Sequence, residues 1–422
     1  MAVGEVSTID QITSVILLLD RIYALPLFIP SHLLSSSGGR VSIYVDDTTR
    51  FKGTYSARGG TGFQQGSAGT VFVEKRRGRM GGLLRISNQQ SGDDDSHEQS
   101  PPAMHTIVSD ISPYGPLDEL HITGNARVVY KSAAQPLQVR RLIGDGSGTL
   151  VLSAGTALIP AGLGLGQLDA GGGGGGGVLQ LSNLTMVIAD GGVVQATDIS
   201  IGDGGQLVLT SAGGTSLSKK AEYSFRNITV DGGGVIKIDY HMMNQGPSPL
   251  FETVSLSASD SFIVHAGGRV HSDSQGFFGS AGLPVASCRA SINGRGCGRS
   301  GTAGGGGGAY GGFGGAGLSA EGGRHYGDAV LPSEPGSGGG GCFRHVVGGD
   351  GGGILLITAS HMKIDGSVSA NGGPGDGAGA GGGSGMLNAP LLSILCIDDV
   401  VALIRPHLSA MVPYRWVYSA CR

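Results

Sequence analysis

The chain is poor in aromatic residues, which make up 5% of its 422 positions, and it holds a single Trp. Apolar burial therefore has to come from aliphatic side chains. Charge is scarce too: 14% of residues are Asp, Glu, Lys or Arg, and 28 basic against 32 acidic residues leave a net charge of −4. Such a balance lacks the basic footprint of a nucleic-acid binder or of a protein held on an anionic bilayer. No nucleic acid is expected as a partner. No run reaches the ~20 consecutive apolar residues that cross a membrane, so attachment to one is expected only through further flanking segments. The five cysteines include no CxxC pair, and no His pair stands at finger spacing, which disfavours a zinc site.

Glycine is what the chain has in excess, at 82 residues, and all but Gly4 lie between positions 38 and 385. Hydrophobic residues still reach 39%, so the chain can bury a core rather than behave as a polar disordered tract. Between the Gly tracts stand short β-branched runs such as Val41–Val45, Thr149–Leu152, Leu207–Leu209 and Ile354–Ile357. Short strands between frequent turns predict an all-β protein. The expected organisation is an atypical segment over 1–37, an irregular β portion over 38–116 with a mobile polar insertion at 88–104, a Gly-rich body over 117–385, and an atypical helical tail over 386–422.

An internal repeat refines this. Ile199, Ile201, Gly204, Gly205, Leu207 and Leu209 recur 29 residues later as Ile228, Val230, Gly233, Gly234, Ile236 and Ile238. The template returns as Phe262, Val264, Gly267, Gly268 and Val270, and more loosely around Leu184. Each unit is two inward apolar residues, a Gly-Gly corner and two more apolar residues on the same face. A β-hairpin would satisfy the template, as would one coil of a Gly-rich right-handed parallel β-helix. Fixed corners with linkers of variable length favour the β-helix, whose units bury their inner faces only when stacked. The corner glycines, Gly204, Gly205, Gly233, Gly234, Gly267 and Gly268, are expected to supply positive φ where a Cβ would clash.

From residue 301 the chain runs through Gly304–Gly308, Ala309-Tyr310-Gly-Gly-Phe313, Tyr326-Gly327, Pro335–Gly341 and Gly348–Gly353 into Ile354–Ala359, then Met362–Gly373 and Gly381–Gly385. This order of tracts and strands resembles the glycine-rich β-helical module of large uncharacterised extracellular or membrane-anchored proteins of plants, protists and invertebrates. The resemblance is best over roughly 260–385 and implies a non-catalytic structural or adhesive piece of an extracellular or cell-surface protein. It carries no catalytic residue across, and the partner stays unknown, with a protein or a glycan as candidates. A rival implication of the tract at 301–315 is a ligand-binding ectodomain of packed polyglycine helices. Ile12–Leu19 is apolar, but Glu5, Asp10 and Asp20-Arg21 do not fit a secretory leader, so none is expected in this chain.

Cys288 and Cys297 close a short loop amid flexible glycine, where a disulfide would contribute about 2–3 kcal/mol in the loop-entropy model. Cys342 is an alternative partner for either, and three unpaired thiols are the outcome in a reducing compartment. Asn183-Leu-Thr185 and Asn227-Ile-Thr229 are N-glycosylation sequons, or else turn residues whose side chains bond nearby backbone. Gly348–Gly353 and Gly372–Asp376 both miss the Gly-Gly-x-Gly-x-Asp calcium pattern, so no metal or other cofactor is expected. Tracts of five to seven glycines read as too flexible to preorganise an anion-binding nest. No enzyme is expected: Asp46-Asp47 point to opposite faces of a strand, and Asp93–Asp95 and Asp398-Asp399 lie outside the body. A carbohydrate-active enzyme would require two body carboxylates facing one groove about 5–9 Å apart.

Overall fold

The computed structural model describes residues 37–385 apart from 46–55, 60–66, 76–81, 89–104, 110–115, 133, 154, 161–176, 190–191, 211–220, 240–253, 282–287, 328–333, 343–345 and 378–379. The expectations for both terminal segments, and for nearly all of the polar insertion at 88–104, fall outside the described residues.

Among the described residues, twenty strands and one short helix follow one another. The first strands are β1 (Arg40–Val45), β2 (Gly69–Lys75), β3 (Leu83–Ser87), β4 (His105–Val108), β5 (Leu117–Thr123), β6 (Arg127–Tyr130) and β7 (Leu137–Gly144). Next come β8 (Thr149–Leu152), β9 (Ala157–Pro160), β10 (Val178–Ser182), β11 (Thr185–Ile188), β12 (Val193–Val194), β13 (Asp198–Gly202) and β14 (Gln206–Thr210). The rest are β15 (Ala221–Val230), β16 (Val235–Asp239), β17 (Val254–Val264), β18 (Arg269–His271), α1 (Ala290–Asn293), β19 (Leu356–Ile364) and β20 (Ser367–Ser369). The protein is all-β, as its alternation of apolar residues and turns predicts.

The strands form two sheets. The longer has the order β1-β2-β3-β5-β7-β10-β13-β15-β17-β19 with β9 and β12 beside it, and the shorter the order β20-β18-β16-β14-β11-β8-β6-β4. Among the described strands, pairing is parallel throughout except between β2 and β3. From β5 onward, a strand of the long sheet is followed along the chain by a strand of the short one in seven successive pairs, β5–β6 to β19–β20. The long sheet crosses the expected boundary at 116/117 through the β3–β5 pairing.

The 29-residue repeat is the offset between neighbouring strands. Ile199 pairs with Ile228 and Ile201 with Val230 in the long sheet, while Leu207 pairs with Ile236 and Leu209 with Ile238 in the short one. Repetition in sequence thus becomes columns of like side chains. Leu84, Leu120, Leu142, Leu181, Ile201, Val230 and Val264 line up across the long sheet. Val128, Leu150, Met186, Leu207, Ile236 and Val270 do so across the short one. All are buried in one continuous aliphatic core. Each contributes roughly 1.5–3 kcal/mol of burial, and one layer alone could not shield its own set.

At the corners between the sheets the two glycines of each pair do different work, which corrects the single role expected for them. Gly204, Gly233 and Gly267 have φ of +73°, +81° and +84°. Gly205, Gly234 and Gly268 are not left-handed; a Cβ on them would run into the carbonyl oxygens of Leu181, Ile201 and Val230 in the preceding layer. The first glycine turns the chain, and the second lets neighbouring layers approach. Hydrogen bonds then join the corners, as from Val235 N–H to Gly205 (2.9 Å) and from Arg269 N–H to Gly234 (3.0 Å).

Candidate functional site

Residues 272–355 run between β18 and β19, yet β17 and β19 pair directly, so this stretch is looped out of the stacked layers without interrupting them. Its ends meet, since Gly353 N–H donates to Ser272 O at 2.8 Å. Among its described residues, glycine tracts bond to one another at every third residue. Gly336 and Gly339 donate to Gly352 and Gly349 (2.9 and 2.8 Å). Gly348 and Gly351 donate to Ser280 and Phe277 (3.1 and 2.8 Å), and Gly298 and Gly301 to Gly338 and Gly341 (3.0 and 3.1 Å). The tract at 381–385 joins them, with Gly381 and Ser384 donating to Gly340 and Ser337 (2.9 and 3.0 Å).

A spacing of three is the period of the polyproline-II conformation, which has no internal hydrogen bonds and must find partners outside its own tract. Here neighbouring tracts are those partners. The approach is so close that a Cβ on Gly305, Gly306, Gly339, Gly340, Gly348 or Gly351 would overlap a neighbouring carbonyl. Absence of side chains lets these backbones interlock.

Side chains pin this bundle at a few points. The disulfide Cys288–Cys297 (Cα–Cα 5.7 Å) closes the loop carrying α1. Asn293 Nδ2 donates to Phe278 O (2.8 Å), and Asn293 O accepts from Gly338 N–H (2.9 Å). Ser337 Oγ accepts from Gly296 N–H (3.0 Å) and donates to Tyr326 Oη (2.8 Å), whose own hydroxyl donates to Pro335 O. Burial holds the Tyr326 phenol well above the usual tyrosine range. Tyr310 packs edge-on against Tyr326, with ring centres 4.9 Å apart. Asp350 reaches back to accept Gly279 N–H at 2.7 Å. Burial pushes its carboxyl above the usual range, Asp376 adds to the rise, and the Gly279 amide offsets part of it.

Two large apolar side chains project from the bundle: Phe313 is 74% and Leu318 90% exposed. Their backbone is tied down by Gly307 N–H to Gly315 O (2.8 Å) and Gly314 N–H to Gly323 O (3.0 Å), and Phe313 rests against the His325 ring. The bundle thus presents an apolar tip on a hydrogen-bonded base.

The outer face of the long sheet carries a second polar set. Glu119 bonds both Arg141 and His121 Nε2, the latter at 2.7 Å. Asp198 accepts from Arg226 Nη2 (2.9 Å) and Asn227 Nδ2 (2.8 Å), and Asn227 Oδ1 accepts from Ser261 Oγ (2.6 Å). Asp260 lies 3.5 Å from His361. On the short sheet, Asp273 draws in Arg269, Ser369 Oγ (2.9 Å) and Asn371 N–H (2.6 Å). Burial alone would raise its carboxyl, but the Asn371, Ser369 and Arg269 bonds outweigh that and hold it below the usual range. Burial, then Arg269, lowers the neighbouring His271.

Of the residues singled out in the sequence, Cys288 and Cys297 are joined. Cys342 is buried as a free thiol, its Sγ 3.7 Å from Thr302 O, and is not the alternative partner. Asn183 stands exposed at a corner with φ +47°, whereas Asn227 lies in mid-strand inside the polar ladder and not in a turn. The acidic pairs weighed for catalysis, at 46–47, 93–95 and 398–399, lie outside the described residues. Among the described residues no helix is long and apolar enough to cross a membrane, and no three His, Cys, Asp or Glu side chains come together as a metal cage. Glu119 with His121, Asp198 with Arg226, and Asp350 could be found only once strand register and tract packing were known. No family model, curated protein or solved structure matches the chain.

Proposed function

We propose that the two sheets are walls of a right-handed parallel β-helix, and that this solenoid is a non-catalytic structural or adhesive portion of an extracellular or cell-surface protein. The handedness follows the strong preference of parallel crossover connections. The observation that carries the functional reading is the glycine bundle: a disulfide-stapled, backbone-packed body mounted on the stacked layers and raising Phe313 and Leu318 into solvent. A disulfide suits an oxidising compartment. A rigid base under an exposed apolar tip suits contact with a protein or a glycan more than bond cleavage. In the outer ladder, Glu119, Asp198 and Asp260 each face a cationic or His partner, an arrangement that cross-links strands.

The same bundle favours a second reading, a ligand-binding ectodomain of the polyglycine type, because its tracts bond at the period of three that such helices require. The two readings differ in partner and share the presenting surface.

The test is export of the chain behind an added signal peptide, followed by adhesion of protein-coated beads to cells and to immobilised glycans. Exported protein with the bridge, and adhesion lost on Phe313→Ser or Leu318→Ser, supports the reading. Free thiols at Cys288 and Cys297 in exported protein would sink the extracellular part. Progressive cleavage of a glycan that stops on Glu119→Gln would sink the non-catalytic part.

A further inference from the structure

We infer that Asn183, and not Asn227, carries an N-linked glycan on the folded protein; this rests on the extracellular reading above. Both sequons are intact, so sequence does not rank them. Their surroundings do.

Asn183 stands between β10 and β11, at the corner where the chain passes from one sheet to the other. Its backbone is held by both neighbouring layers, donating N–H to Asp203 O (2.9 Å) and accepting Gly146 N–H (2.7 Å). The residue is exposed in a left-handed conformation that asparagine tolerates, and the next side chain, Leu184, turns wholly into the core. The corners on either side place a glycine level with it: Gly146 on one side, flanked by Asp145 and Ser147, and on the other Gly204, where a Cβ would press on Asn183 Oδ1 at 2.6 Å. A sugar ring on Asn183 therefore leaves from an exposed corner residue whose neighbours across the layers include two glycines.

Asn227 has the opposite setting. Its Nδ2, the atom that would bear the sugar, donates to Asp198 Oδ1 (2.8 Å), and its Oδ1 accepts Ser261 Oγ (2.6 Å). Asp198 is itself gripped by Arg226 through Nε (3.2 Å) and Nη2 (2.9 Å), with its side chain only 15% exposed. A sugar on Nδ2 would have to fit beside the Asp198 carboxylate and the Arg226 guanidinium that it bonds, crowding this ladder across β13, β15 and β17.

In the transfer, Asn Nδ2 bonds to the anomeric carbon of a lipid-diphosphate-linked oligosaccharide. That carbon's bond to the diphosphate oxygen breaks, the lipid diphosphate leaves, and one amide proton passes to base. Transfer acts on extended chain, so the fold selects afterwards: chains modified at Asn183 fold unhindered, and chains modified at Asn227 do not reach the ladder.

The experiment is export of the full chain behind an added signal peptide, then enzymatic glycan release in heavy-oxygen water, which converts each occupied Asn to labelled Asp for peptide mapping. The expected result is label at 183 and none at 227, with Asn183→Gly, which keeps the left-handed backbone, removing one glycan's mass. Label at 227, or no label at either site in exported, bridged protein, overturns the inference and leaves the extracellular reading standing. If the chain is not exported, that reading fails instead, and the sites are mapped in the protease-resistant fraction of chain translated into microsomes. There, label at 183 alone sustains the inference, and any other pattern overturns it.

Discussion

The amide of Gly339 donates to the carbonyl of Gly349 at 2.8 Å, and the space a side chain at Gly339 would need is filled by the carbonyl of Gly381. Three tracts meet at one α-carbon. Gly339→Ala should therefore cost about 1–3 kcal/mol, the range for overpacking a tight interior. Gly311→Ala is the control, because nothing lies within 4 Å of its Cβ position, and it should stay within about 0.5 kcal/mol. Denaturant unfolding of the two variants checks this, and equal midpoints would show that the tracts are not interlocked.

The corner glycines can be separated by asparagine, which tolerates positive φ but still has a Cβ. Gly233 has φ +81° and its Cβ position is 3.3 Å from Gly204 N, so Gly233→Asn should cost less than about 1 kcal/mol. Gly234 has ordinary φ but abuts Ile201 O, so Gly234→Asn should cost at least about 1–3 kcal/mol. The reverse order in thermal or denaturant midpoints would assign the left-handed role to the wrong glycine.

Asp350 sets a pH dependence of definite sign. Its folded pKa is raised above the ordinary 3.8, first by burial and then by Asp376. The folded state therefore holds the proton more tightly than the unfolded one, and stability from this group falls as pH rises through the folded value. Asp350→Asn keeps an oxygen for the Gly279 amide and removes the charge. It should raise the denaturation midpoint at neutral pH, with the gain fading as pH falls toward 3.8. Asp273 runs the other way, its lowered carboxyl lending stability above the ordinary value that is lost on acidification, so Asp273→Asn should be destabilising at neutral pH. Midpoints of both variants across pH read the two signs directly.

Cys288→Ser should lower stability by about 2–3 kcal/mol, the loop-entropy value for so short a loop. The loss should concentrate in the bundle, because no strand of either sheet lies between the two cysteines. Limited proteolysis should cut near 288–297 in the variant first. Early cleavage in the β13–β16 region instead would show that the staple supports the sheets.

The sheets were legible in sequence because their signal is carried by side chains. Ile199 and Ile228, or Leu207 and Ile236, recur in the chain for the reason that they pair in space. The bundle was not, because its contacts are backbone to backbone: Gly339 against Gly349 leaves no pattern beyond the presence of glycine. Composition shows that something must approach closely, without showing what. The polar ladder was hidden differently, since Asp198, Asn227 and Ser261 come together through register across strands 29 and 34 residues apart. Of the two readings the sequence leaves open for Asn227, a sequon or a turn residue, the turn is not what forms: Asn227 lies within β15.

The glycine tracts form an ordered, hydrogen-bonded body on the stacked sheets. Amide hydrogen exchange over 336–341 and 348–353 tests it most directly, because a flexible glycine tract and an interlocked one differ in nothing else so clearly. Gly336, Gly339, Gly348 and Gly351, each bonded to another tract, should exchange as slowly as core-strand amides such as Ile201. Exchange at the rate of free glycine peptide in these tracts, with the strands still protected, would contradict it.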